Sequence, residues 1–486
     1  VSLRDSGESA ETTADGVAGD RAGRRRDLWA AACGALLVAA AVVVGRAIEQ
    51  SDGSLHLGWP PLYAWWSPHV GPGTPAALAV AIAVIAYGPP LAARVPWRVL
   101  VPAAWATAMA WTWSLALIDG WHRGIARRLT TKYEYLQVID RFDDIGAALR
   151  DFTHHILLGS PDHWPPHIAG HPPAATLTFV VLDRIGLGGG GWAGVWCITV
   201  GSSAVAAVLV GARALADERL ARRATPFLVL APGAVWVGAS ADGYFAGVAG
   251  WAVALLAVTR ARRRTPTAPT AAFTLASGLL FGLTGYLSYG LTLFAVIAAG
   301  VVVVGHWGRG GGDRGGGGFG KRWFVLLVPL LAGTAVVPLA FTLVGFNWWE
   351  AYHLLVERYY QGAGGIRPYW YFIWANPACT VLVVGLATVA GLGRVLGSVP
   401  AAVRRLRNGQ PTAADRLAAL TVAALLTVAV ADLSGMSKAE TERIWLPFAL
   451  WLLPATALLP LRDHRVWLAA QAVLALLINH LLHTGW

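Results

Sequence analysis

Residues 130–155 read TTKYEYLQVIDRFDDIGAALRDFTHH, and residues 162–173 read DHWPPHIAGHPP. With the run that leads in from Asp119, they form the longest polar segment of a chain otherwise built from apolar blocks. Of 486 residues, 56% are hydrophobic and 13% charged, against roughly 25% charged in soluble domains. Mean hydropathy is +0.53. Apolar runs of about 17–25 residues recur from Leu28 onward, the length at which a helix crosses about 30 Å of hydrocarbon. These runs are rich in Ala, Leu and Val and lack period-two alternation. The fold class is therefore all-α, a polytopic transmembrane helical protein rather than a barrel.

The net charge of +11 invites a nucleic-acid reading, but its distribution excludes one. The basic residues sit in short clusters between apolar runs: Arg24–Arg26, Arg94 with Arg98, Arg213 to Arg223, Arg260 to Arg264, Arg309 to Arg322 and Arg394 to Arg407. That is the positive-inside pattern, so the charge reports topology. Cys33, Cys197 and Cys379 fall in or beside apolar runs with no pairing pattern, which reads as packing.

Taken in order, residues 1–27 read as a disordered cytoplasmic tail and 28–486 as a single transmembrane domain. The first run, Leu28 to about Ile48, is too long for a signal-peptide core and reads as a retained anchor. Spans at about 75–93 and 99–118 follow, which places the loop 119–173 on the extracytoplasmic side. The segment AATLTFVVLDRIG (174–186) is too short and too charged to span. Read as interfacial, it keeps Arg213–Arg223 and Arg260–Arg264 inside. The run 271–306 should break near GLTGYLSYG (282–290), where glycines and polar residues suit a turn. GRGGGDRGGGGFGKR (308–322) reads as a Gly-rich cytoplasmic linker. Two further outer loops hold NWWEAYHLLVERYYQGAGGIRPYW (347–370) and ADLSGMSKAETER (431–443). The count is about thirteen spans in a bacterial plasma membrane, with the N-terminus cytoplasmic and the polar material converging outside.

Within the long loop, Leu136, Ile139, Phe142, Ile145, Leu149 and Phe152 recur every three or four residues and predict an amphipathic interfacial helix. Glu134 stands at its start, either as a cap or solvated acid or as a general base. His163, His167 and His171 have metal-compatible spacing, so a divalent metal is one alternative. Pro165, Pro166, Pro172 and Pro173 oppose a single helix that would present them together. Hydrogen bonding to phosphate or sugar hydroxyls is the other use of His167 and His171. Lys438 and Arg443 run against the positive-inside bias. Either Glu440 and Glu442 neutralise them, or they grip a lipid-linked phosphate. Asp242, opening a span in SADGYFAG (240–247), is a cap or a site acid. Trp349 and its aromatic neighbours anchor at the headgroups or stack on a sugar.

The order of these features resembles the GT-C superfamily of membrane glycosyltransferases, in the branch of protein O-mannosyltransferases and aminoarabinose transferases. It runs through an outer-loop acid before a tyrosine, an amphipathic helix, HPP with a short apolar helix, a span closing on an arginine turn, FLVLAPGAVW (227–236) and SADGYFAG. The resemblance covers roughly 100–310, and the two spans before it lie outside the shorter family core. SKAETERIWLPF (437–448) resembles actinobacterial members. The resemblance implies an inverting hexosyl or pentosyl transfer, with mannose or arabinose the favoured sugars. The donor would be a polyprenyl-phosphate sugar and the acceptor a hydroxyl on a glycan, glycolipid or protein of the cell envelope. It implies a catalytic acid in the first large outer loop. The family places Asp-Glu ahead of the tyrosine, whereas this chain has Tyr133-Glu134-Tyr135. Glu134 and Asp119 are thus both candidates, with Glu134 in the family's place. Arg443, Lys438 and His171 are assigned to the donor phosphate; His167, Asp242, Glu442, Tyr135 and Trp349 to substrate. The rival class is a transporter or lipid flippase, which would carry its ionisable groups mid-span in paired half-repeats.

Overall fold

The computed structural model describes residues 5–261, 268–307 and 318–485, with side chains from Arg21 onward and none over 262–268 and 306–325. Of the described residues, 81% are helical. Among the described residues, nine helices are long and apolar enough to cross a membrane, so this is a multi-pass membrane protein. The remaining expected crossings fall on shorter or broken helices, except the last, which is the continuous helix His464–Leu481. Leu446–Leu458 contains Pro454, and Tyr369–Val384 contains Pro377. Glu218–Val229 stops before Pro232 and resumes as Ala234–Val237. An interior proline removes a backbone donor, yet Tyr369–Val384 runs through Pro377 as one helix.

The core is the pair Gly189–Leu215 and Ala241–Ala261, 67% and 78% buried over their apolar windows, whereas Leu326–Val344 is 6% buried and lies at the periphery. Lipid is as apolar as leucine, so close backbone approach, rather than expulsion from water, holds the pair. A Cβ on Gly247 would fall 2.3 Å from the Val200 carbonyl oxygen. Glycine is what this contact requires.

The helices run between two ends of different chemistry. At one end the arginine clusters meet. Arg394 donates through Nε and Nη2 to the buried Asp27, 2.7 Å each. Arg222 caps the Ala92 and Val95 carbonyls, and Arg416 those of Leu215 and Ala216. Helix Asp5–Ser51 carries the first crossing, and Asp27, the last residue of the expected tail, is buried within it.

At the other end the polar loops meet. Arg358 donates to the Trp164 carbonyl, Arg367 to that of Leu55, and Glu442 accepts from the Tyr63 amide. Strand Ala64–Trp66 pairs antiparallel with Leu482–Thr484, tying the first loop to the last helix. Helix Ala174–Arg184 stays at this end, since Arg184 donates to the Phe142 and Asp143 carbonyls. At eleven residues it spans roughly half a bilayer. The expected break appears after Leu287, where a 3-10 turn Tyr289–Leu293 precedes helix Phe294–Trp307. Residues 308–317 of the glycine-rich stretch lie outside the described residues.

The amphipathic helix of the long loop differs from expectation. It is two pieces, a 3-10 segment Tyr135–Phe142 and an α-helix Ile145–Asp151. Asp144 separates them by accepting from the Ala147 amide as an N-cap, the local competition with helix that aspartate favours. Tyr135, Val138 and Phe142 are the buried positions of the first piece, and Leu136 and Ile139 are half-exposed.

Candidate active site

Glu134 sits immediately before the 3-10 segment with extended backbone, and its amide donates to the Thr131 carbonyl. Its side chain turns inward and is 4% exposed. His167 lies on the single turn Pro166–Ala169, which the flanking prolines pre-set. The His167 amide donates to the Tyr133 carbonyl, so the two backbones are locked side by side. His167 Nδ1 is 2.9 Å from Glu134 Oε1. Glu134 Oε2 is buried and accepts no hydrogen bond from the described residues.

Arg443 arrives from the turn Thr441–Ile444, some three hundred positions away in sequence. Its Nη1 donates to Asp242 Oδ2 at 2.6 Å, and its Nη2 to Glu440 Oε2 at 3.0 Å and His167 Nε2 at 3.2 Å. Asp242 is available because Ser240 does the capping: its Oγ accepts from the Gly243 amide and donates to the Trp236 carbonyl. Burial lowers the Arg443 pKa, but Asp242 and Glu440 more than reverse it, so the guanidinium stays charged. Burial raises the Glu440 carboxyl, and Arg443 with Arg367 overcome this and hold it below its usual range.

Three residues next to these side chains have left-handed backbone without being glycine: Ala239 (φ 57°), Ala439 (75°) and Glu440 (61°). Each costs on the order of 1–3 kcal/mol, and such strain persists where surrounding contacts over-determine the position. It sits beside Asp242 and Arg443, the two groups that must meet.

The result is one narrow pocket lined by Arg128, Leu129, Glu134, Tyr135, His167, Ala239–Asp242 and Arg443. It unites five of the expected residues: Glu134, Tyr135, His167, Asp242 and Arg443. Burial holds the Tyr135 phenol well above its ordinary pKa, so it stays protonated. His171 stands behind Tyr135, ring centroids 5.8 Å apart, with Nδ1 on the His167 carbonyl. Burial pushes His171 down to about 4, so it is neutral and positions the His167 turn.

The other expected residues are placed elsewhere. Asp119 is outside the pocket lining, held by Arg128 at 3.1 Å, His69 at 3.2 Å, Arg123 at 3.6 Å and His483 at 3.7 Å. Lys438 directs its ammonium to the Gly364 carbonyl and the Tyr360 ring. Glu442 is buried and outside the pocket lining, and burial pushes it up to about 7. Trp349 is 68% exposed and stacks edge-on against Trp348. Among the described residues no three His, Cys, Asp or Glu side chains are grouped to hold a metal ion. His163 is exposed while His167 and His171 turn inward. Arg128 and Arg367 escaped the sequence reading, although the rule that flagged Arg443, a basic residue on the outer side, applies to both.

No family model matches the chain, and no curated protein does. Among solved structures it is similar to ArnT from Cupriavidus metallidurans bound to undecaprenyl phosphate, at 15% identity and a TM-score of 0.42, over 75% of this chain and 61% of that one. It is also similar to the archaeal oligosaccharyltransferase AglB from Archaeoglobus fulgidus in complex with an inhibitory peptide and a dolichol-phosphate, at 14% identity and 0.42, over 74% of this chain and 50% of that one. The chain spans between half and about three fifths of the length of these two proteins.

Proposed function

We propose that the protein is a membrane glycosyltransferase that moves a sugar from a polyprenyl-phosphate donor to an acceptor hydroxyl at the extracytoplasmic face, with mannose or arabinose the first sugars to try. One observation carries the reading. A buried, open-valenced carboxylate, Glu134, shares a pocket with Arg128, Asp242 and Arg443, brought from remote segments to the end of the molecule where the polar loops gather. Glu134 takes the acceptor proton as that oxygen attacks C1. The bond from C1 to the phosphate oxygen breaks, and the lipid phosphate leaves with the electron pair. Displacement from the opposite face inverts the anomeric centre. A phosphate needs cationic donors. Arg128, whose Nη2 is on Asp119 and which lines the same pocket, suits it, whereas the N–H groups of Arg443 are directed to Asp242, Glu440 and His167. Lys438 and His171 are turned to other partners and drop out of that assignment.

Membranes carrying the chain, given radiolabelled polyprenyl-phosphate mannose or arabinose, should label a cell-envelope acceptor. Glu134→Gln should keep expression and donor binding and lose transfer by about 10²–10⁴-fold, the usual worth of a general base. Transfer at the wild-type rate by that variant removes Glu134 from the chemistry. Movement of the lipid across the bilayer without sugar transfer selects the transporter class instead.

A further inference from the structure

Glu134 ends a chain of three side chains, Arg443, His167 and Glu134, whose polar contacts can run in one direction. The Arg443 guanidinium has donors and no acceptor, and its Nη2 lies 3.2 Å from His167 Nε2. For that contact to be a hydrogen bond, Nε2 must carry the lone pair. A proton there would point at the N–H of a permanent cation. The imidazole proton therefore sits on Nδ1, which faces Glu134 Oε1 at 2.9 Å. Oε1 is thereby occupied, and Oε2, buried and lining the same pocket, is left without a donor.

We infer that His167 is a positioning residue for the base rather than a substrate ligand: Arg443 fixes its tautomer, His167 Nδ1–H holds Glu134 Oε1, and Oε2 is the atom that receives the acceptor's proton. The inference rests on the transferase reading and deepens it. It reassigns the main work of Arg443 as well. With Asp242 and Glu440 on its other N–H groups, the guanidinium is oriented so that one N–H reaches the imidazole. The remaining neighbours fit this direction. The His167 carbonyl accepts from His171, which keeps the turn from rotating, and the Tyr135 and His171 rings pack around the imidazole at 6.0 and 6.4 Å. The arrangement is that of an outer-shell partner which fixes the orientation of a reacting group it does not replace.

The test uses the full chain in lipid nanodiscs, with undecaprenyl-phosphate mannose and undecaprenyl-phosphate arabinose as the probes. His167→Leu removes the donor. His167→Asn puts an amide N–H close to where Nδ1 stood. His167→Leu should lower kcat by about 10–100-fold with KM for the lipid donor unchanged, and His167→Asn should recover most of the loss. A raised KM with kcat unchanged makes His167 a substrate ligand and overturns the inference. So does equal loss in folded Leu and Asn variants. Independently of folding in the variants, histidine-selective ¹⁵N spectra of the wild-type protein should show one imidazole protonated at Nδ1 and bare at Nε2. Its signal is assigned by its disappearance in either His167 variant or by its coupling to Glu134. A proton on Nε2, or on both nitrogens, overturns the inference. The underlying reading fails separately: transfer retained by Glu134→Gln removes the base. Transfer lost in Glu134→Gln but full in His167→Leu removes only the positioning role.

Discussion

Arg443→Gln should be among the most destabilising single changes outside the apolar core, and the reason can be isolated. The guanidinium is 6% exposed and is held between Asp242 at 2.6 Å and Glu440 at 3.0 Å. Glu440 keeps a second cation, Arg367 at 3.5 Å. Asp242 is 5% exposed, and Arg443 is the cation it is bonded to among the described residues. Removing one partner of a buried pair costs about 3–5 kcal/mol, because the other charge is left uncompensated. Replacing both partners with neutral amides avoids that penalty. The double variant Arg443→Gln with Asp242→Asn should therefore recover at least about 2 kcal/mol of the loss, a coupling within the range for contacting residues. Unfolding of the detergent-solubilised chain by a denaturing detergent, followed by tryptophan fluorescence, measures both; with 24 tryptophans the signal is ample. If Arg443→Gln costs less than about 1 kcal/mol, or the double variant is as unstable as the two single losses added, the ion pair is not what holds these helices in register.

Three further outcomes follow from the same geometry. Glu442 is buried, its Oε1 accepts from the Tyr63 amide, and its Oε2 has no partner among the described residues. Its carboxyl is raised from 4.5 to about 7 by burial, so stability present below pH 4.5 is lost as pH rises through 7; Glu442→Gln should match wild type near pH 4.5 and exceed it by roughly 3 kcal/mol above pH 8, and a pH-independent difference between the two refutes this. Arg128→Gln should raise KM for the lipid donor by about 10–100-fold, the worth of one hydrogen bond to a charged group, and an unchanged KM in donor titrations takes Arg128 off the phosphate. Trp349→Ala should leave transfer and stability within about 0.5 kcal/mol of wild type, and a larger loss in either assay would return Trp349 to the substrate path.

Fold class and loop grouping were legible because lipid imposes two rules that survive without tertiary information. Apolar runs must be long enough to cross, and arginines mark one side. Those rules were enough to keep 174–186 from spanning and to put Glu134, Asp242 and Arg443 at one end. What they could not reach was orientation of side chains. In sequence, Ser240 or Asp242 could cap this helix, with a site acid the other reading of Asp242; the choice rests on Ser240, whose hydroxyl serves the Gly243 amide and frees the carboxylate. The break at Asp144 was hidden for a similar reason. A period of three to four in apolar residues fits both an unbroken helix and a 3-10 segment followed by a capped one. Asp119 and Glu134 are both outer-loop acids in sequence; the four cationic or imidazole groups around Asp119 come from residues 69, 123, 128 and 483. No linear pattern joins such positions.

The two readings of the outer basic residues, self-neutralisation and phosphate grip, turn out to divide the pocket between them. Around Arg443 the acids are in excess, with Asp242 and Glu440 bonded to it and Glu134 one imidazole away. Around Asp119 the balance is reversed, with Arg123, Arg128, His69 and His483 facing one carboxylate. Arg128 belongs to both groups, since it binds Asp119 and lines the same pocket as Glu134 and Arg443. A transfer reaction needs this polarity: one side accepts a proton while the other accepts a departing phosphate. Two unit charges 4 Å apart interact by about 4 kcal/mol at an effective dielectric of about 20. A donor bound in reverse would set its phosphate against Glu134, Asp242 and Glu440 at that cost for each close pair. On the proposed reading, a donor would thereby be oriented before any sugar hydroxyl is recognised, with its leaving group toward Arg128 and C1 toward an acceptor oxygen beside Glu134.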